Sequence, residues 1–193
     1  MLTLYFSPGS SSMAPHIALH EIGAPFEGRP MSFAKKDQKS PAYLAVNAEG
    51  KVPALLIDGR LLTEVAGIMY YLARRYPEAN LLPVGDIEAE AQVVSWMSFL
   101  AASVHPSRAK GPEHALAALA LADQRLGKTD WAAGGRYSIA DIHLFRLYWR
   151  FVNAIKPPKG SFPNLEAHHD RMLARAAVQR TLAAEAAVGY DLP

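Results

Sequence analysis

The residues best suited to chemistry in this chain stand in two clusters. Near the start, Pro8-Gly9 is followed by three consecutive serines, Ser10, Ser11 and Ser12. Beside a helix start, a serine hydroxyl either caps the helix or donates a hydrogen bond to an anion. The second cluster is NAEGKVPALLIDGRLLTEVAGIMYYLARRYP, from Asn47 to Pro77, in which a proline enters a short apolar run and Glu64 opens a long helix. A strand edge followed by an acid and the unpaired N–H groups of a helix start can hold a small peptide.

Other chemistry is excluded or weak. The chain has no cysteine, so disulfides, thiolate metal sites and a cysteine nucleophile are absent, and any thiol must come from a ligand. His16 and His20 have the i, i+4 spacing of a helical metal pair but neither a third ligand nor the internal glutamate of a zinc protease motif, so no metal is expected. There is no phosphate-binding glycine loop, dinucleotide fingerprint or Gly-x-Ser-x-Gly elbow. Lys35, Lys36 and Lys39 form the one dense basic cluster in a chain of net charge +2, too small a footprint for nucleic acid.

The elements that must position these residues follow from periodicity and punctuation. Leu2 to Phe6 reads as a strand, Met13 to Gly23 as a helix capped by one of the serines, and Phe26 to Met31 as a second strand, which implies a right-handed parallel crossover. A short helix is expected around Pro41 to Val46. Val52 to Ile57 and Arg60 to Leu62 flank Asp58-Gly59, a hairpin signal, and Thr63 is placed to cap the following helix, which Pro77 stops. Beyond it no strand is expected. Residues 78–86 read as a linker. Asp86 to Val104 is a helix apolar nearly all round, which fits one packed between its own domain and a partner subunit. His114 to Leu126 is helical. Ser138-Ile139-Ala140-Asp141 has capping-box spacing and opens an aromatic-rich helix to about Val152, followed by helices near 163–174 and 177–187. With 193 residues, half of them hydrophobic and 20% charged, the chain has the composition of an ordinary globular protein with a real core. No window is long and apolar enough for a membrane helix and no secretory leader is evident, so a cytoplasmic location is expected.

Three segments, FSPGSSSMAPHIAL (Phe6 to Leu19), YLAVNAEGKVPALLIDGRLLTE (Tyr43 to Glu64) and RYSIADIHLF (Arg136 to Phe145), together with their spacing, resemble the glutathione transferase family. The likeness is to the bacterial beta class, with Ser11 where that class has cysteine. It implies a thioredoxin-like α/β domain over residues 1–77, a linker at 78–86 and an all-helical domain over 87–193, assembled as a homodimer. It also implies a cis Val52-Pro53 peptide whose Val52 backbone pairs with the cysteinyl unit of glutathione. Glu64 then matches the acid for the γ-glutamyl ammonium, with the N–H groups of Val65 and Ala66 taking the neighbouring carboxylate. Val65 departs from the family's usual serine or glycine, which leaves only a backbone contact there. Lys35 or Lys36 would meet the glycyl carboxylate, His105 would stand near the sulfur, and Asp141 would be structural.

The resemblance makes the serines donors to a thiolate. A thiol of pKa near 8.5 is only about 3% ionised at pH 7, and lowering it by two units is worth about 2.7 kcal/mol. One hydrogen bond to the charged sulfur supplies about 1.5–3 kcal/mol, and a helix start about 0.3–1 more. Alignment with the beta class selects Ser11, alignment with a serine-using class selects Ser10, and Tyr5 is a third candidate expected to pack beside the site. The implied function is detoxifying conjugation of glutathione, as co-substrate, to small hydrophobic electrophiles. The alternatives are a non-catalytic binding or interaction module on this fold, or another glutathione-dependent reaction such as dehalogenation or isomerisation. The segment between His105 and Asp123 is shorter than in the family, which opens the electrophile pocket or leaves it to Trp149 or the C-terminal segment to close.

Overall fold

Apolar runs bounded by turn residues build a four-stranded sheet in the first third of the chain. The computed structural model describes residues 1–133 and 135–190. Strand β1 (Leu2–Phe6), helix α1 (Met13–Ile22) and strand β2 (Phe26–Pro30) form a parallel β-α-β unit, and β3 (Ala54–Ile57) and β4 (Arg60–Thr63) add an antiparallel hairpin, in the order β2-β1-β3-β4. β1 is interior and buried along its whole length. β2 is an edge strand, largely exposed, and ends in Pro30, which an edge tolerates because no ladder donor is lost. The hairpin turn places both Asp58 (φ 49°) and Gly59 (φ 82°) in the left-handed region, as a two-residue loop matching strand twist requires. A short helix α2 (Pro41–Leu44) is capped by Ser40, and α3 (Val65–Arg75) follows the hairpin.

Two expected caps are not formed. Ser12 precedes α1 with helical backbone angles and no side-chain capping bond, because its hydroxyl is engaged by Ser7 and Ser10. Thr63 pairs with Ala54 in the sheet, and α3 starts instead from Glu64, whose carbonyl accepts from the Ile68 N–H. The other end of α1 is as expected: Gly23 is left-handed and its N–H donates to the Leu19 carbonyl.

The chain divides into two compact units, Met1–Leu72 together with the segment from Ala176, and Ala73–Arg175. The scheme read from the sequence, with everything from residue 87 in one helical domain, changes at its C-terminal end. Helix α9 (Ala176–Val188) packs on α1, because Ala177, Thr181 and Glu185, spaced i, i+4, i+8, form a buried stripe. Residues 78–86 are also more than a tether. Leu81 and Leu82 are buried, and the Leu81 carbonyl accepts from the Ile139 N–H.

In the second unit, α4 (Ile87–Phe99) continues through a widened turn at Leu100–Val104 into the single turn α5 (His105–Ser107). Helices α6 (Pro112–Leu126), α7 (Ile139–Ile155) and α8 (Pro163–Leu173) complete it, with α7 against α4, α6 and α8. Phe145, Leu147 and Phe151 make α7 the core element. Within the chain α4 is covered on one side only: Val93, Trp96 and Met97 are buried, whereas Ile87 is 83% and Val94 50% exposed. The capping box at Ser138 forms, and Asp141, fully buried, accepts from the N–H groups of Ala132 (2.7 Å) and Ser138 (2.8 Å) and pairs with His168 Nε2 (3.0 Å).

These contacts set two expectations. Asp141→Ala strands several buried donors at once and should lower unfolding free energy in urea by about 3–5 kcal/mol. His143 is buried on α7 with neither ring nitrogen bonded among the described residues, and burial, then Arg146 and His105, lower it from 6.5 to about 3. Its folded pKa lies below the unfolded one, so the unfolded chain binds the extra proton and stability falls as pH drops from 6.5 toward 3, with a slope of at most about 1.4 kcal/mol per pH unit. In His143→Phe, urea unfolding at pH 7 and pH 5 should differ by less than in the parent protein.

Candidate functional site

The sheet register gathers the predicted residues of the first unit at one end. Tyr5 pairs with Ala54 and Ala54 with Thr63, so the loop after β1, the Val52-Pro53 entry to β3 and Glu64 after β4 all emerge on the same side. Val52-Pro53 is cis. Its approach is held from behind: the Lys51 carbonyl accepts from the Tyr43 hydroxyl (2.6 Å) and from Asn47 Nδ2 (2.9 Å), while Asn47 Oδ1 accepts from the Glu49 N–H. Burial pushes the Tyr43 phenol up, so it stays a donor. Gly50 completes this turn at φ 59°, where a Cβ would lie 2.7 Å from the Gln38 carbonyl oxygen.

The three serines separate into two roles. Ser10 and Ser12 are buried with their hydroxyl oxygens 2.7 Å apart. Ser12 Oγ also accepts from the Ser7 N–H and donates to the Ser7 carbonyl, and Ser10 Oγ accepts from the Ser12 N–H. One of the two hydroxyls donates to the other, and both are thereby engaged inside the loop. Ser11 is half-buried and faces the other way, donating to the Val52 carbonyl at 3.0 Å. A half-buried hydroxyl donor thus stands against the Val52 backbone edge.

Tyr5 packs beside this edge with Met31, Tyr43, Val52 and Ala54. Its hydroxyl accepts from Arg29 Nη1 at 2.7 Å. Glu64 is exposed, and its carboxylate has no protein partner among the described residues. It adopts φ 66° although it is not glycine, a conformation that costs about 1–3 kcal/mol and is retained mostly at functional positions. Val65, next in the chain, is buried. Lys35 is exposed and lines a cleft of about 380 Å³ with Pro8, Ser32, Asp37 and Tyr190. The C-terminal segment therefore borders the serine loop.

His105 belongs to α5. It lies in the second unit, where the surrounding protein, then Arg146 and Arg108, hold its imidazole below the usual value. A cavity of about 680 Å³ around Pro83, Arg136, Tyr137 and Arg175, also in the second unit, is lined by none of the predicted residues. The His16 and His20 pair is used inside the fold: His16 Nδ1 meets Glu185 Oε1 at 2.9 Å and His20 Nδ1 meets Thr181 Oγ1 at 2.8 Å. Sequence reasoning missed Glu185, which is fully buried and also accepts from the Gly9 N–H at 2.6 Å. A glutamate in an alanine-rich helix reads as surface, and its only signal is its place on the Ala177-Thr181 stripe.

A thioredoxin-like unit with a cis-proline edge, in a chain whose second unit is all helical, has the glutathione transferase fold. The family models agree: residues 1–74 match the glutathione S-transferase N-terminal domain and residues 94–176 its C-terminal domain. The glutathione S-transferase GstA of Escherichia coli O157:H7 is 34% identical, over 95% of this chain and 98% of its own. Among solved structures, a glutathione transferase homolog from Sulfitobacter with bound glutathione is 30% identical with a TM-score of 0.89, and a bacterial beta class glutathione S-transferase from Sphingomonas chungbukensis is 33% identical with a TM-score of 0.85; each match covers 95% of this chain and 98% of the other. The chain belongs to the glutathione S-transferase family, an enzyme family.

The strained backbone at Glu64 is testable apart from any reaction. Glu64→Gly removes the positive-φ penalty together with the carboxylate, so the thermal midpoint should hold or rise while the midpoint shift given by millimolar glutathione shrinks. A clear fall in the midpoint of the free protein would show that Glu64 is not strained.

Proposed function

We propose that this protein conjugates glutathione to small hydrophobic electrophiles, a detoxifying reaction, with Ser11 as the donor that stabilises the thiolate. The observation that carries the reading is the Ser11 hydroxyl 3.0 Å from the Val52 carbonyl, because it puts a rotatable donor beside the edge on which a cysteinyl backbone would pair. Glutathione docks along the cis-proline edge: the Val52 N–H and C=O meet the cysteinyl backbone, and Glu64 takes the γ-glutamyl ammonium. The N–H groups of Val65 and Ala66 receive the adjoining carboxylate, and Lys35 the glycyl one. When the cysteinyl N–H claims the Val52 carbonyl, the Ser11 hydroxyl is released to turn to the sulfur. Ser10, committed to Ser12, keeps the loop's shape.

The chemical step needs no metal. The thiol proton leaves to solvent, the thiolate electron pair attacks an electrophilic carbon, and the new C–S bond forms as a leaving group departs with its electrons or, in an addition, as the product carbanion takes a proton from water. The cleft beside Pro8 and Tyr190 offers an apolar wall for such a substrate. We infer a cytoplasmic homodimer, supported by the open apolar face of α4 at Ile87 and Val94. His105, neutral at pH 7, is a secondary candidate near the sulfur.

Calorimetry with millimolar glutathione is the first test; absence of binding would remove the proposal. With an aryl halide as electrophile, Ser11→Ala should lower kcat/KM about tenfold or more, the worth of one hydrogen bond to a charged sulfur. Ser10→Ala should chiefly lower stability. Binding without turnover in the parent protein would select the non-catalytic module, and turnover only of a dehalogenation or isomerisation substrate would select those reactions.

A further inference from the structure

The buried carboxylate of Glu185 is used by nothing in the reaction so far. It reaches from α9 across 176 positions of sequence to the Gly9 N–H (2.6 Å), two residues before Ser11, and its second oxygen meets His16 Nδ1 (2.9 Å). Gly9 is left-handed at φ 70°, so the direction of its N–H fixes how the chain turns into the serines. His16 is itself hemmed in by rings, tilted against Phe6 (4.7 Å between centroids) and His20 (4.9 Å) and edge-on to Phe26 (5.7 Å). The other charged or titratable groups facing this spot are Arg180, which donates to the His20 carbonyl, and Tyr190, whose phenol is pushed up to about 12 by burial and then by the Glu185 charge.

Packing alone does not account for a carboxylate here. Desolvating one costs several kcal/mol, and an apolar residue of similar volume would hold α9 on α1 as well or better. What a carboxylate provides is two strong acceptors of fixed separation, one for the loop and one for the helix that follows it.

We infer that Glu185 is a positioning residue for the thiol chemistry: braced on His16, it fixes the Gly9 N–H and thereby the setting of Ser11 toward the glutathione sulfur. The inference rests on the proposed use of glutathione thiolate. It makes the last helix part of the activating apparatus and not only a cover for α1, and it places the active loop under the control of a residue that touches neither substrate.

The test reads ionisation of bound glutathione from its ultraviolet thiolate absorbance as pH is varied, in the full chain. If the parent protein does not lower the pKa of the bound thiol, the proposed function fails. If it does, Glu185→Ala should raise the bound thiol's pKa by about one unit and cut kcat about tenfold, while glutathione affinity changes less than about threefold, since an ångström-scale misplacement costs rate before binding. Thr181→Val removes the His20 contact of α9 without touching the loop and should leave the thiol pKa unchanged. Should the alanine variant not fold, Glu185→Asp, too short to serve Gly9 and His16 together, should give a smaller rise in the same direction. An unshifted thiol in a folded Glu185 variant, or an equal shift in Thr181→Val, overturns the inference.

Discussion

A binding site made of loops must satisfy its own backbone without filling itself, and this constraint organises the first unit. Each loop at the open end of the sheet carries buried polar groups that cost free energy if left unpaired. Several of the backbone groups are met from behind. Tyr43 and Asn47 donate to the Lys51 carbonyl, Ser12 serves both the N–H and the carbonyl of Ser7, and Glu185 accepts from Gly9. The proposed glutathione site is built on what remains at that end: the Val52 edge with the Ser11 hydroxyl against it, and the exposed Glu64 carboxylate. Three adjacent serines therefore do different work, two as internal loop ties and one at the surface of the site.

The second unit solves a similar problem with carboxylates at helix starts. Asp141 closes the capping box of α7 and also accepts from Ala132 and His168. Asp123, on α6, accepts from the N–H groups of Asn164 and Leu165 and so caps α8, whose first residue is Pro163. In both cases one buried or half-buried side chain satisfies donors that the helix cannot. Arg146 and His143 on α7, with His105 nearby, sit where burial, and then like charges, depress the imidazoles.

Features governed by local chemistry were legible in the sequence. The β-α-β order, the Asp58-Gly59 hairpin, the Gly23 stop and the Ser138-Asp141 box each depend on residues within a few positions of one another. Thr63 was misread because a strand pairing with Ala54 outcompeted its capping potential, and the serine that directly precedes α1 does not cap it because a loop contact with Ser7 engages its hydroxyl. The return of α9 to the first unit and the role of Glu185 were not legible, since both rest on a partner more than 150 residues away and no local pattern announces it. The cis peptide at Pro53 came only from family resemblance, because an X-Pro bond is trans by default.

The placement of α9 also bears on how the chain is made. The first unit joins residues made before the second unit to residues made after it. Strands β1 to β4 emerge early, but the groups that tie down Gly9, His16 and His20 arrive only with Thr181 and Glu185. The span from Ala73 to Arg175 is by contrast one continuous run of sequence. Domains usually fold N-terminal first during synthesis; here Gly9 and His16 meet Glu185 only after the whole second unit has been made.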